Sequence, residues 1–209
     1  MKDWNSLLKP LLEKFESKRH PLEYQNLYQL MIMVILSAQD SDANINKVSP
    51  DFFRDYPNLE SLVDATPDEL IPFLSKVRNY GSKISYILDI AGTLRESKNI
   101  PLTMEELVSL KGIGRKSANV ILRESGKSPE GIIVDLHVIR VAPRLGIVSE
   151  AKDGNKIEKQ LMQVLSPDMW GVGMPISFLG REICRPTNPK CEICLLRECC
   201  SYSQDLSLT

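Results

Sequence analysis

Apolar residues recur along this chain at roughly the three-to-four-residue spacing of a helix face, and strand-like alternation is almost absent. Trp4 to Phe15 reads as an amphipathic stretch, followed by a polar break through Lys18-Arg19-His20-Pro21. Asn26 to Gln39 is apolar nearly all round (Leu27, Leu30, Ile32, Val34, Ile35 and Leu36), which predicts a buried helix. Shorter helical segments follow, punctuated by Ser49-Pro50, Thr66-Pro67 and Ile71-Pro72. Thr66 can cap a helix, Pro67 suits its first position, and Asp68 and Glu69 complement the positive end of its dipole. Signals of this kind predict an all-α protein of roughly nine to eleven helices, without internal repeats or low-complexity segments.

Composition narrows the classes. With 209 residues, 43% hydrophobic and 25% charged, the chain is ordinary for a soluble globular protein, which excludes collagen-like, mucin-like and disordered readings. Its length suits one large domain or two small ones. The longest apolar run, Leu30 to Leu36, is far too short for a membrane span. The start, Met1-Lys2-Asp3-Trp4-Asn5, lacks the apolar core of a signal peptide, so a cytoplasmic protein is expected. Charge is nearly balanced, 26 basic against 27 acidic side chains, and a net −1 argues against a uniformly basic coat. The balance is uneven along the chain. Asp51, Asp55, Glu60, Asp64, Asp68 and Glu69 face only Arg54 in one segment, whereas Lys111, Arg115, Lys116, Arg123 and Lys127 face only Glu124 in another.

Chemistry concentrates in two places. All five cysteines, Cys184, Cys191, Cys194, Cys199 and Cys200, cluster near the C-terminus, and an odd clustered set does not suit a disulfide framework. The run C-x6-C-x2-C-x5-C through Cys184, Cys191, Cys194 and Cys200 offers four thiolates, which satisfy either tetrahedral zinc or an iron–sulfur cluster. Spacing does not separate those two. The second place is Leu110-Lys111-Gly112-Ile113-Gly114-Arg115-Lys116-Ser117-Ala118, a turn between the helical patterns Met104 to Leu110 and Lys116 to Glu124. Gly112 can end the first helix in a left-handed conformation, and Gly114 permits close approach to the N–H groups at the start of the second. Those N–H groups, the helix dipole and the adjacent Arg115 and Lys116 make an anion site that reads phosphates without reading bases. Beyond the following helix, Ile132-Ile133-Val134 leads into Asp135, an N-cap candidate. A helix and a loop separate Lys116 from Asp135, so the two could face one cleft.

These motifs, in this order, resemble the endonuclease III branch of the helix–hairpin–helix DNA glycosylases, from about Asn26 to Cys200. Leu36-Ser37-Ala38-Gln39 is similar to the family's L-S-x-Q segment, and Tyr80-Gly81-Ser82-Lys83 to its Tyr-x-x-Lys segment. The resemblance implies a six-helix barrel domain carrying the hairpin (residues 21–130) beside a helical domain built from both chain ends (1–20 and 131–209). It selects a 4Fe–4S cluster over zinc, and Cys200 over Cys199 as the fourth ligand. It implies a monomer acting on double-stranded DNA that contains damaged bases or abasic sites. Lys116 would attack the sugar C1′ as a neutral amine, and Asp135 would stay ionised to stabilise the oxocarbenium-like transition state. Gln39 would fill the gap left by the flipped nucleotide, while Gly112, Gly114 and Arg115 would hold the backbone. The chain departs from the family at four points. Asn79 stands where an apolar wedge is common, Asp40 replaces Thr or Ala, Leu136 replaces the Thr after the aspartate, and Leu179 replaces a His before Gly180-Arg181. The adenine-mismatch branch lacks the lysine and the thymine-mismatch branch has Tyr there, so both fit less well. A non-catalytic DNA-binding scaffold with a structural metal is the reading from a different class.

Overall fold

Every regular element among the described residues, 2–206 of this computed structural model, is helical. Met1 and residues 207–209, which the sequence assigns to the second domain, lie outside the described residues. The chain divides into two compact units, Met1–Lys18 with Pro129–Thr209, and Arg19–Ser128.

The amphipathic N-terminal stretch forms two short helices, α1 (Trp4–Leu7) and α2 (Lys9–Phe15), where the sequence suggested one. Pro10 explains the break, because it cannot donate to the carbonyl one turn back. The second unit then contributes α3 (Leu27–Leu36), α4 (Asp42–Asp55), α5 (Pro67–Leu74), α6 (Tyr80–Leu94), α7 (Met104–Ser109) and α8 (Arg115–Glu124). Helix α3 is its axis. Tyr28 and every residue from Leu30 to Leu36 are buried, and α4, α6 and α8 pack around them. Each fully buried Leu or Ile there contributes about 2 kcal/mol of transfer free energy. Phe52 anchors an aromatic cluster with Phe53, Tyr56 and Phe73, at ring-centroid separations of 5.3 to 6.2 Å.

Helix starts follow the sequence more closely than helix ends. Thr66 and Glu69 form a reciprocal capping box at α5, with Pro67 in its first turn. Pro50 and Pro72, read from the sequence as boundaries, instead lie inside α4 and α5. Burial of Phe52 and Leu74 beyond them outweighs one missing ladder bond each. Helix α3 stops at Leu36 rather than Gln39: the Ser37 hydroxyl takes the Val34 carbonyl, the Ala38 N–H bonds the Ile35 carbonyl instead, and Lys83 Nζ from α6 takes the Leu36 carbonyl at 2.7 Å.

The first unit resumes with α9 (Leu136–Leu145), α10 (Gly154–Val164), α11 (Gly173–Glu182) and α12 (Ser201–Leu206). The twelve α-helices among the described residues exceed the nine to eleven expected, since pieces as short as α1 carry no periodic signal. Helix α11 packs against both α9 and α2, with Phe178 5.5 Å from Phe15 and Lys18 Nζ 4.9 Å from the Phe178 ring. Two glycines make the α9–α11 seam. A Cβ at Gly173 would lie 2.4 Å from the Ile133 carbonyl oxygen, and one at Gly180 would lie 2.8 Å from His137 Cβ. The Ile132–Val134 run and the start of α9 therefore sit against bare backbone, which fixes where Asp135 begins its helix.

Candidate active site and nucleic-acid interface

The hairpin has the backbone that its glycines imply. Gly112 adopts φ +85°, and a Cβ there would meet the Tyr86 ring at 2.6 Å. No other residue suits both the angle and the aromatic floor. Leu107, Leu110 and Ile113 are buried beneath the turn, while Lys111, Gly112 and Gly114 stay exposed. Lys111 is drawn sideways to Asp89 at 3.2 Å. Gly114 is the N-cap of α8 and offers no side chain to cap its first N–H groups. Arg115 opens α8 and Lys116, exposed, is its second residue.

Asp135 belongs to the other unit and is held far more tightly. As the N-cap of α9, its Oδ1 accepts from the His137 and Val138 N–H groups, both at 2.9 Å. Its Oδ2 accepts from Ser177 Oγ at 2.5 Å and lies 3.6 Å from Arg181 Nη2. Burial alone would raise its pKa, but the Ser177 hydroxyl, the Val138 N–H and the positive Arg181 outweigh that, so the carboxyl sits below the ordinary aspartate value. It is a fixed anion at neutral pH. The sequence reading missed Ser177 and Arg181. Their signal was a polar pair at i and i+4 on α11, with Ser177 fully buried in an otherwise apolar turn.

Gln39 lies in the turn after α3, exposed, with φ 59°. Its neighbour Asp40 does not present an idle charge. The carboxylate accepts from the Ser41 N–H at 2.8 Å, from Asn44 Nδ2 at 3.1 Å, and from the Arg78 N–H at 2.8 Å. Burial raises its pKa, but these donors outweigh it and the net shift is downward. Asn79, the residue after Arg78, is also left-handed, with φ 55° and ψ 34°, and stands exposed before α6. A left-handed L-residue costs about 1–2 kcal/mol, so the surrounding bonds must hold both residues there. Behind them Lys83 is buried, and desolvation lowers its pKa despite the nearby Asp40 charge.

Helix α9 links Asp135 to the cysteines. Arg140 donates to the carbonyls of Gly180 and Cys184 at 2.9 and 3.2 Å, and Arg144 to those of Arg185 and Pro186 at 2.8 and 3.0 Å. Arg144 also lies 3.6 Å from Cys184 Sγ and stacks 4.5 Å from the Tyr202 ring. Cys184, Cys191, Cys194 and Cys200 line one apolar cavity with Leu145, Leu179 and Ile183. Cys199 is absent from that lining, and its Sγ faces the Leu196 carbonyl at 3.3 Å. Burial pushes the Cys194 thiol up, and Cys200, Cys184 and Cys191 push it further, as expected of thiols gathered around one point. Among the described residues, no three His, Cys, Asp or Glu side chains are yet in ligating arrangement. The four thiols share one cavity and have the donor chemistry of a soft metal centre, without the ligating arrangement itself.

A helical hairpin opening onto a basic helix start, a capped aspartate and a cysteine-lined cavity define a base-excision repair class of protein. Residues 32–167 match the HhH-GPD superfamily base excision DNA repair protein family, and the chain belongs to it. Endonuclease III of Thermotoga maritima is 34% identical over 191 residues, covering 88% of each chain. Endonuclease III of Bacillus subtilis is 33% identical over 186 residues, covering 88% of this chain and 84% of its own. Among solved structures, a non-covalent endonuclease III–DNA complex matches with a TM-score of 0.85 at 29% identity, over 98% of this chain and 96% of that one. A trapped endonuclease III–DNA covalent intermediate matches with a TM-score of 0.85 at 30% identity, over 97% and 96%. A thermostable thymine-DNA glycosylase shares the fold, with a TM-score of 0.80 at 17% identity. No helix among the described residues is long and apolar enough to cross a membrane.

Proposed function

We infer that this chain is a bifunctional DNA glycosylase and abasic-site lyase of the endonuclease III type, acting on duplex DNA with oxidised pyrimidines or abasic sites. The observation that carries this reading is the setting of Lys116. It is an exposed amine in the first turn of a helix whose N-cap is glycine, directly after a hairpin built to hold phosphate. The hairpin N–H groups of Gly112 and Gly114, with Arg115, hold the DNA backbone, and Gln39 fills the space vacated by the flipped nucleotide. Lys116 Nζ attacks C1′ as the bond to the base breaks, and the base leaves with a proton. Asp135, kept ionised by Ser177, Arg181 and the α9 N–H groups, stabilises the positive charge on the sugar and shuttles protons. The resulting Schiff base permits β-elimination, which breaks the strand 3′ to the sugar. Electrons balance without an external oxidant or reductant.

Cys184, Cys191, Cys194 and Cys200 are the residues that would hold a 4Fe–4S cluster, which would cross-link the loop whose start Arg140 and Arg144 brace. Purified protein should be brown and carry four irons per four ligand cysteines, and Cys200→Ser should lose that colour whereas Cys199→Ser should keep it. A colourless protein containing zinc would overturn the assignment.

Reduction by borohydride during reaction tests the catalytic reading. Wild-type protein should form a covalent adduct with duplex DNA bearing an abasic site or an oxidised pyrimidine. DNA binding without any adduct would favour the non-catalytic scaffold.

A further inference from the structure

Two features of the second unit are not accounted for by the chemistry above: the carboxylate of Asp40 beside Gln39, and the pair of left-handed residues, Gln39 and Asn79. They meet at one hydrogen bond. Asp40 follows Gln39, Arg78 precedes Asn79, and the Asp40 carboxylate accepts the Arg78 N–H at 2.8 Å. The same carboxylate holds Asn44 Nδ2, which also donates to the Lys76 carbonyl at 3.2 Å. A second tie lies behind the first, where Lys83 from α6 bonds the Leu36 carbonyl. The turn after α3 and the turn before α6 are thereby joined side by side, with Gln39 and Asn79 both exposed.

We propose that Asp40 is a positioning residue that clamps these two turns together, so that the Gln39 and Asn79 amides enter the duplex as one rigid probe. The proposal rests on the glycosylase reading and adds to it a residue that need not touch DNA. A negative charge near a DNA-facing turn is costly unless it is spent internally, and here it is spent on backbone and amide donors. Joining the turns in advance removes the entropy cost of ordering each one separately when the stack opens. Two amides in place of an amide and an apolar wedge also give the probe hydrogen-bonding groups on both sides.

Opening a stack matters only in a duplex, which supplies a readout that a general structural defect would not mimic. Borohydride-trapping rates under single turnover are compared on an abasic site in duplex and in single-stranded DNA of the same sequence. For Asp40→Ala the duplex rate should fall about tenfold or more, as expected for loss of a charge-assisted hydrogen bond. The single-strand rate should move less than about twofold. Asn44→Ala, which removes one donor but leaves the Asp40–Arg78 bond, should shift the same ratio in the same direction by a smaller factor. With 2-aminopurine opposite a stable abasic analogue, the fluorescence rise on wild-type binding should be diminished by Asp40→Ala. Equal losses on the two substrates, or no loss on either, would overturn the clamp. If wild-type protein traps neither substrate, the lyase reading itself fails, and the clamp with it.

Discussion

Asp135 and Lys116 are held in opposite ways. The carboxylate is half-buried and receives two backbone N–H groups, a hydroxyl and a guanidinium, so neither its position nor its charge has much freedom. The amine is exposed at the start of α8, on a four-carbon stem, beside a turn whose geometry is rigid but whose surface is open. A group that acts through its charge must be fixed before the substrate arrives, because electrostatic stabilisation requires dipoles already in place. A nucleophile has to reach and form a bond, so its reach is more useful than its confinement. On the proposed mechanism, the difference suits distinct roles for two residues that a motif alone would list together.

The largest expected effect falls on the amine. Lys116→Gln should abolish the borohydride adduct while leaving duplex affinity close to wild type, as read by gel and by fluorescence anisotropy. Equal trapping by both proteins would remove the contrast. Next comes the carboxylate: Asp135→Asn keeps an N-cap but discards the charge, so single-turnover base release should slow by roughly 10²–10⁴-fold. Stability at neutral pH should fall modestly, by about 1–2 kcal/mol, as charge-assisted bonds become neutral ones. The two effects separate catalysis from capping. Acid titration sharpens the same point. The folded pKa of Asp135 lies below the ordinary 3.8, so its charge stabilises the fold above that value and ceases to do so as pH falls through the folded pKa. The stability gap between wild type and Asp135→Asn should hold steady down to about pH 5 and close in stronger acid. A gap that widened on acidification would show that the charge is not stabilising. The smallest effect concerns the turn that precedes α8. Gly112→Ala should cost about 1–2 kcal/mol in urea unfolding, from a left-handed φ and the Tyr86 ring, and should weaken binding to undamaged duplex.

Local signals in the sequence translated well, and long-range ones did not. The capping box at Thr66, the glycine turn at Gly112 and the N-cap at Asp135 depend on neighbours within a few positions, and each has the expected backbone. Pro50 and Pro72 misled because a proline's local preference was overridden by the burial of apolar residues around it. The end of α3 was illegible for a related reason. Ser37 and Ala38 suit a helix, yet the Ser37 hydroxyl takes the Val34 carbonyl, and Lys83, which satisfies the Leu36 carbonyl, lies far along the chain. The partners of Asp135 illustrate the same limit, since Ser177 lies on α11 and nothing near Asp135 announces it. Asp40 stands in the sequence only as a departure from Thr or Ala, because the Arg78 N–H that its carboxylate accepts comes from a distant turn.

The glycine seam between α9 and α11 has a consequence for inheritance. Replacing Gly173 or Gly180 by alanine adds a single methyl group, and each replacement requires only one nucleotide change. That methyl would have to occupy space now filled by the Ile133 carbonyl or the His137 side chain, and the displaced segment carries Asp135. A genetic screen for lost repair should therefore recover changes at these two codons that alter no reacting atom. Part of the mutational target of this protein is two glycine contacts too close to admit a methyl group.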